Sequence, residues 1–274
     1  MERCLWLKVD IFVVNLGHSK QESFKGIEEN FQNKYTSWSS TSLTQAGRGT
    51  MMKYVLNSIP IYQMSTFKIP TQVLNKLTSI QRKFFWGYKS NRGLNPIGWN
   101  KVCKPKELGG MAFRYLEKLN LALLTKLAWR LLNEKNALYT QIMENKYFKK
   151  NNILHQKIEA KNGSCIWNRI TNGLAIIQQH YFMEVNNGKK TKIWLDGFQV
   201  ILNPPIPMND LHRFYQDVKE LLLPNLNSWN VDLLKKLFDQ TSSQQIQGIF
   251  MDLIKEDVMI WSPCRDGKFT VKSA

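Results

Sequence analysis

The chain has 274 residues, 43% hydrophobic and 22% charged, with 38 Lys and Arg against 21 Asp and Glu, for a net charge of +17. That length allows one or two domains with a real core, and the composition excludes disorder as the default state. No run of about 18 apolar residues is present to span a membrane, and so basic a chain points to a polyanionic partner.

The first residues carry Glu2 and Asp10 among short apolar runs and lack a small-residue cleavage site, so they do not read as a signal peptide. Residues 19–38 are predicted to form an amphipathic helix. Ser19 caps it, Glu22 completes a capping box, and Phe24, Ile27, Phe31 and Tyr35 recur at helical spacing up to Trp38. A second helix is expected from Thr44 to Ser58, buried through Met51, Met52, Val55 and Ile59, until Pro60 ends or bends it. The segment 61–70 is apolar and partly helical. Pro70 and Thr71 open a third helix through Trp86, with Val73, Leu77, Ile80 and Phe84 on one face and Gly87 as its stop. Residues 88–114 form a connector anchored by Trp99 and Phe113.

The strongest helical pattern covers 115–134. Leu116, Leu119, Leu123, Leu127 and Leu131 define one face, Leu124 and Ala128 widen it, and Asn120 interrupts it with a polar side chain. Further helices are predicted at 136–147 and at 164–179, the latter capped by Ser164. Beyond 180 the period changes. Residues 181–195 read as a β-hairpin turning at Asn187–Gly188, and 257–274 as a second one turning at Asp266–Gly267. Between them, 203–207 (NPPIP) excludes regular structure, and short helices fit 216–223 and 229–239. The expected fold is mainly α with a small α+β C-terminal part containing two hairpins.

The charge is unevenly spread. Residues 30–106 carry twelve basic side chains and no acid; 107–195 carry fourteen basic and six acidic; 196–274 carry eight basic and ten acidic. One polyanion-facing region accounts for that distribution better than general basicity does. Candidate phosphate contacts are Arg48, Lys53, Lys76, Arg82, Lys83, Lys89, Lys104, Lys106, Lys126 and Arg130. The densest basic and aromatic run is 82–89 (RKFFWGYK), whose aromatics continue the buried stripe and read as core.

Catalytic and metal signatures are missing from the sequence. It has no phosphate-binding glycine loop, nucleophile elbow or HExxH, and no adjacent Asp pair such as two-metal polymerases use. Cys4, Cys103, Cys165 and Cys264 are far apart, as are the four histidines, so no zinc pairing is indicated. Free thiols fit a reduced intracellular protein. Asp196 and Asp252 are the two carboxylates that draw notice, and each reads first as a turn or capping residue. No cofactor and no metal are expected.

Several long segments, in order, resemble the reverse transcriptases of plant LINE-type (non-LTR) retrotransposons. They are LGHSKQESFKGIEENFQNKYTSW (16–38), SLTQAGRGTMMKYVLNSIPIYQMSTFKIP (42–70), FFWGYK (84–89), WNKVCKPKELGGMAFRYLEKLNLALLTKLAWRLL (99–132), IWLDGF (193–198) and DVMIWSPCRDGKFTVKSA (257–274). The resemblance implies the region downstream of the polymerase palm, ending at the start of a zinc-binding module. The palm's Tyr-x-Asp-Asp would lie before residue 1, and the clustered Cys and His of the zinc module and the ribonuclease H-like domain after Ala274. Residues 1–15 match poorly, Phe198 stands where the family usually has Trp, and Met111-Ala112-Phe113 lacks the family's usual Gly. The implied organisation is a poorly matching segment 1–15, a basic thumb-like helical region 16–180 and a small α+β region 181–274. Its implied role is to hold an RNA–DNA or DNA duplex through phosphates, without sequence preference or catalysis and away from membranes, with the missing palm as packing partner. A nuclear location fits a retroelement, although no long Lys/Arg block supplies an import signal. The alternative is a structural or interaction remnant that binds no nucleic acid.

Overall fold

The computed structural model describes residues 24–39, 43–88, 93, 95–147, 153–155, 167–223 and 228–274. It is mainly helical, with one small antiparallel sheet among the described residues. The chain packs as two compact units, one ending at Leu127 and including 164–169, the other made of 128–163 and 170–274.

In the first unit, helix α1 (Lys25–Ser39) buries Ile27 and Phe31, and Phe24 just before it is buried too. It lies against α4 (Thr71–Trp86), where Tyr35 and Phe84 meet edge to face at 6.3 Å. The expected cap at Ser19 lies outside the described residues. Helix α2 (Gln45–Met51) starts at Thr44, whose Oγ1 accepts from the Gly47 amide at 3.2 Å, satisfying one of the orphan donors of the first turn. The helix does not continue regularly to Ser58. It widens into a π turn, Met52–Leu56, that buries Met52 and Leu56, and Pro60 then heads α3 (Ile61–Thr66).

Helix α4 follows its predicted limits. Gly87 closes it at φ 69, a left-handed conformation that costs a residue without Cβ little. Arg48 lies against this end of α4: a methyl group at position 87 would fall 1.5 Å from its Nη1. A guanidinium there complements the partial negative charge of the helix C-terminus. Trp99, at the start of α5 (Trp99–Val102), and Phe113 are buried as expected. Both pack on Phe85, with ring centroids 6.2 and 5.0 Å from it.

Helix α6 (Leu116–Asn133) begins in the first unit and ends in the second. Leu116, Leu119, Leu124, Ala128 and Leu131 are buried, whereas Leu123 and Leu127 are half-buried. The polar interruption at Asn120 is buried and fully used. Its Oδ1 accepts from the Ile69 amide at 2.9 Å, and its Nδ2 donates to the Met64 and Phe67 carbonyls at 2.7 and 2.8 Å. One side chain thus satisfies a carbonyl in the last turn of α3 and two backbone groups between α3 and α4.

The second unit contains α7 (Leu138–Tyr147), α8 (Trp167–His180, mostly in this unit), β1 (Tyr181–Glu184), α9 (Val231–Leu237), α10 (Gln240–Gln247) and β2 (Val258–Trp261). The predicted cap Ser164 lies outside the described residues. Its core gathers Val185, Ile193, Phe198, Val218, Leu221, Leu234, Leu237, Phe238 and Ile246. A second cluster stacks Trp129 on Phe269 and sets Trp261 against both.

The two local hairpins do not form. The turns are present, with Gly188 and Gly267 both at φ 67, but β1 pairs with β2, Tyr181 opposite Trp261 and Glu184 opposite Val258. The reason lies in Asp257. Its Oδ1 accepts from the amides of Asn186 and Gly188, and its Oδ2 from the amides of Lys190 and Thr191 and from the Thr191 hydroxyl, at 2.7–3.1 Å. Donors that a 181–195 hairpin would aim at its own partner strand are instead turned onto a carboxylate that immediately precedes β2. The 3-10 turn Val218–Leu221 and α9 fall within the predicted short helices; α10 is additional.

Candidate nucleic-acid interface

The connector between α5 and α6 presents a compact lysine-bearing loop. Pro105 precedes a 3-10 turn, Lys106–Leu108, and Gly109 closes it at φ 75. The Gly110 amide returns to the Pro105 carbonyl at 3.0 Å, and the Met111 and Ala112 amides to the Val102 and Lys104 carbonyls at 2.8 and 2.9 Å. Lys104 and Lys106 are exposed on this loop, with Lys101 exposed just before it, and none of the three has an ion-pair partner among the described residues. Lys101 was absent from the sequence-based candidates, although it belongs to the same basic run.

The loop has one strained position. Ala112 sits at φ 53, left-handed territory that an L side chain rarely adopts, where the resembling family usually has Gly. Replacing Ala112 by Gly relieves that strain and is offset in part by the greater freedom of an unfolded glycine. Thermal unfolding of Ala112→Gly should show a net gain of about 0.5–1 kcal/mol; an unchanged or lower melting temperature counts against strain at this residue.

The other candidate cations are differently placed. Arg48 is half-buried against Gly87, and its Nε is shielded from water with no partner among the described residues. Lys53 holds its ammonium 5.3 Å from the Phe113 ring centre, a cation–π contact. Lys76 reaches Glu28 at 3.1 Å. Arg82 and Lys83 are half-buried on α4, and Lys89 lies outside the described residues. Lys126 is exposed on α6. Arg130, one turn further on, binds both oxygens of Glu134 at 2.8 and 2.9 Å and covers Tyr139. Its charge is therefore already partly answered within the chain. Phe84 and Phe85 are buried as the helical stripe implied, and Trp86 is half-buried.

Beside the loop runs a cleft of about 840 Å³, lined by Lys101 and Lys104 together with Trp86, Ile97, Leu108 and Met111. Cys103, also in this connector, is half-buried, and burial pushes its thiol up to about 11, which makes it a poor nucleophile.

The second unit holds a buried polar cluster that the sequence pattern did not reveal. Asp196 is not merely a turn residue. Its Oδ1 lies 2.6 Å from His155 Nε2 and accepts from the Tyr181 hydroxyl at 2.5 Å, while its Oδ2 accepts from the Lys192 amide at 2.7 Å. Burial, the Asp196 charge and the hydrogen bond together push the Tyr181 phenol well above its ordinary range. His155 and Tyr181 stand 41 and 15 positions from Asp196 along the chain, so no local signature exposes the cluster. Asp252 is a turn residue as expected, accepting from the Ile254 amide and pairing with Lys255. Among the described residues no three His, Cys, Asp or Glu side chains gather where one metal ion could be held.

No protein-family model matches the chain. It is 29% identical over 264 residues to a putative ribonuclease H protein of Arabidopsis thaliana, an alignment covering 93% of this chain but 42% of that relative's length. It is 30% identical over 154 residues to an uncharacterized mitochondrial protein of the same plant, covering 56% of this chain and 99% of the relative. With that shorter protein matched over nearly its whole length, the chain belongs to the same family as the Arabidopsis mitochondrial protein.

Proposed function

We propose that this chain is a non-catalytic part of a plant retroelement protein of the reverse transcriptase and ribonuclease H kind, and that it binds a nucleic-acid duplex through phosphates. The observation that carries this reading is a cluster of exposed lysines on one loop of a stretch that contains no acid from residue 30 to 106. Lys101, Lys104 and Lys106 project there without an ion-pair partner among the described residues, which leaves them available to phosphates. The name of the longer relative and the LINE-type motifs support a retroelement origin. The lack of any acid from residue 30 to 106 supports a holding role rather than a catalytic one.

The test is an anisotropy titration of the whole chain against an RNA–DNA duplex at two salt concentrations. Affinity should fall steeply with salt, and Lys104→Glu/Lys106→Glu should weaken binding by at least about tenfold and flatten the salt dependence by about two phosphate contacts. A folded sample that ignores the duplex at low salt overturns the reading. The structural-remnant alternative would then stand.

A further inference from the structure

The cleft beside the lysine loop has features that phosphate binding alone does not explain. Its volume of about 840 Å³ lies in the range of pockets that enclose small organic groups. Its lining includes apolar side chains left open to solvent: Ile97 is 50% exposed, Leu108 69% and Met111 40%. Trp86, half-buried, also lines it. The same lining contains Lys101 and Lys104, and the one acid on the loop is Glu107, exposed beside Lys106.

A nucleotide answers these features together. Its base offers flat apolar faces to Leu108, Met111 and Ile97. Its phosphates carry the charge that Lys101 and Lys104 complement. A base within a duplex keeps its faces stacked and its edge paired, so it cannot enter such a cleft. We propose that the cleft receives an unpaired nucleotide of a nucleic-acid strand, so that this surface binds single-stranded stretches or frayed ends through base and phosphate together. The inference rests on the nucleic-acid reading above and adds the strand state to it.

The experiment titrates the whole chain with a labelled short oligothymidylate, a strand of equal length and charge made of abasic residues, a blunt duplex, and thymidine monophosphate as competitor. The oligothymidylate should bind at least about tenfold more tightly than the abasic strand, since stacking on the protein is lost with the base. Leu108→Ser/Met111→Ser changes exposed positions and no charge. It should abolish that preference and leave abasic-strand and duplex binding unchanged, with circular dichroism confirming the fold. Equal affinity for the abasic and natural strands overturns the nucleotide cleft and leaves phosphate binding standing, as does a preference that survives the double serine variant. Competition by the monophosphate at concentrations matching the oligothymidylate would assign the cleft to free nucleotides and overturn the strand assignment. Absence of binding to every probe at low salt overturns both readings.

Discussion

Asp257→Ala should cost the second unit about 3–5 kcal/mol, the sum of several charge-assisted hydrogen bonds lost from a buried acceptor. Asp257 is 5% exposed and accepts from four backbone amides and one hydroxyl. Removing the carboxylate strands those donors in a loop whose shape they define. Asp257→Asn is the sharper test. An amide retains one acceptor oxygen but must turn its NH2 either toward the Asn186 and Gly188 amides or toward those of Lys190 and Thr191, so half of the network becomes donor against donor. The loss should approach that of the Ala variant. The effect also depends on pH. Burial pushes this carboxyl up, but the amides of Asn186, Lys190 and Gly188 and the Thr191 hydroxyl outweigh it and hold the pKa below the ordinary 3.8. A carboxylate depressed in the folded state contributes stability that is complete above its unfolded pKa and disappears as pH falls through the folded value. The gap between native protein and Asp257→Asn should therefore be constant above about pH 5 and shrink below about pH 4. Chemical unfolding across that range, followed by tryptophan fluorescence, measures it. A gap that does not change with acid would mean that the charge of Asp257 does not organise the loop.

Asp257 also shows why the C-terminal part was harder to read than the helical part. Both glycine turns were legible, because Asn-Gly and Asp-Gly leave little choice of conformation, and both glycines adopt positive φ. The strand partner was not legible. It is set by a carboxylate 66–71 residues away from the donors it gathers, and sequence pattern carries no signal at that range. Helix α10 was missed because QTSSQQIQ lacks an apolar stripe: only Ser243 and Ile246 are buried. Its start was visible in principle, since Asp239 accepts from the Thr241 and Ser242 amides as an N-cap. Helix α4, by contrast, has a long stripe, a proline before it and a glycine after it, so local preference and tertiary burial agree. The candidate interface divides in the same way. Charge bias located the basic stretch, but whether a cation faces solvent depends on neighbours remote in sequence: Lys76 meets Glu28 48 positions away and Lys53 meets Phe113, whereas Lys104 and Lys106 meet no acid among the described residues.

Asn120→Leu should destabilise the first unit by about 2–4 kcal/mol although it makes α6 more regular as a sequence and more apolar where it is buried. A hydrophobic side chain of similar volume is usually welcome at a core position. Here Asn120 is 2% exposed and serves the Ile69 amide and the Met64 and Phe67 carbonyls. The Met64 carbonyl is in the last turn of α3, the Phe67 carbonyl and Ile69 amide lie between α3 and α4, and Pro70 fixes the break. Leu gains transfer free energy and leaves three backbone groups without their partner, and the second effect is the larger because the Ile69 donor has no route to water. Asn120→Asp separates donation from acceptance. The carboxylate still accepts from Ile69 but sets an unprotonated oxygen against the two carbonyls, so at neutral pH it should be at least as damaging as Leu. In mild acid the introduced carboxyl becomes protonated and can donate to one of those carbonyls, and part of the loss should return. Guanidinium unfolding of the three proteins at neutral and acidic pH decides the matter. If Asn120→Leu is neutral or stabilising, the α3–α4 junction is held by its flanking helices and not by this side chain.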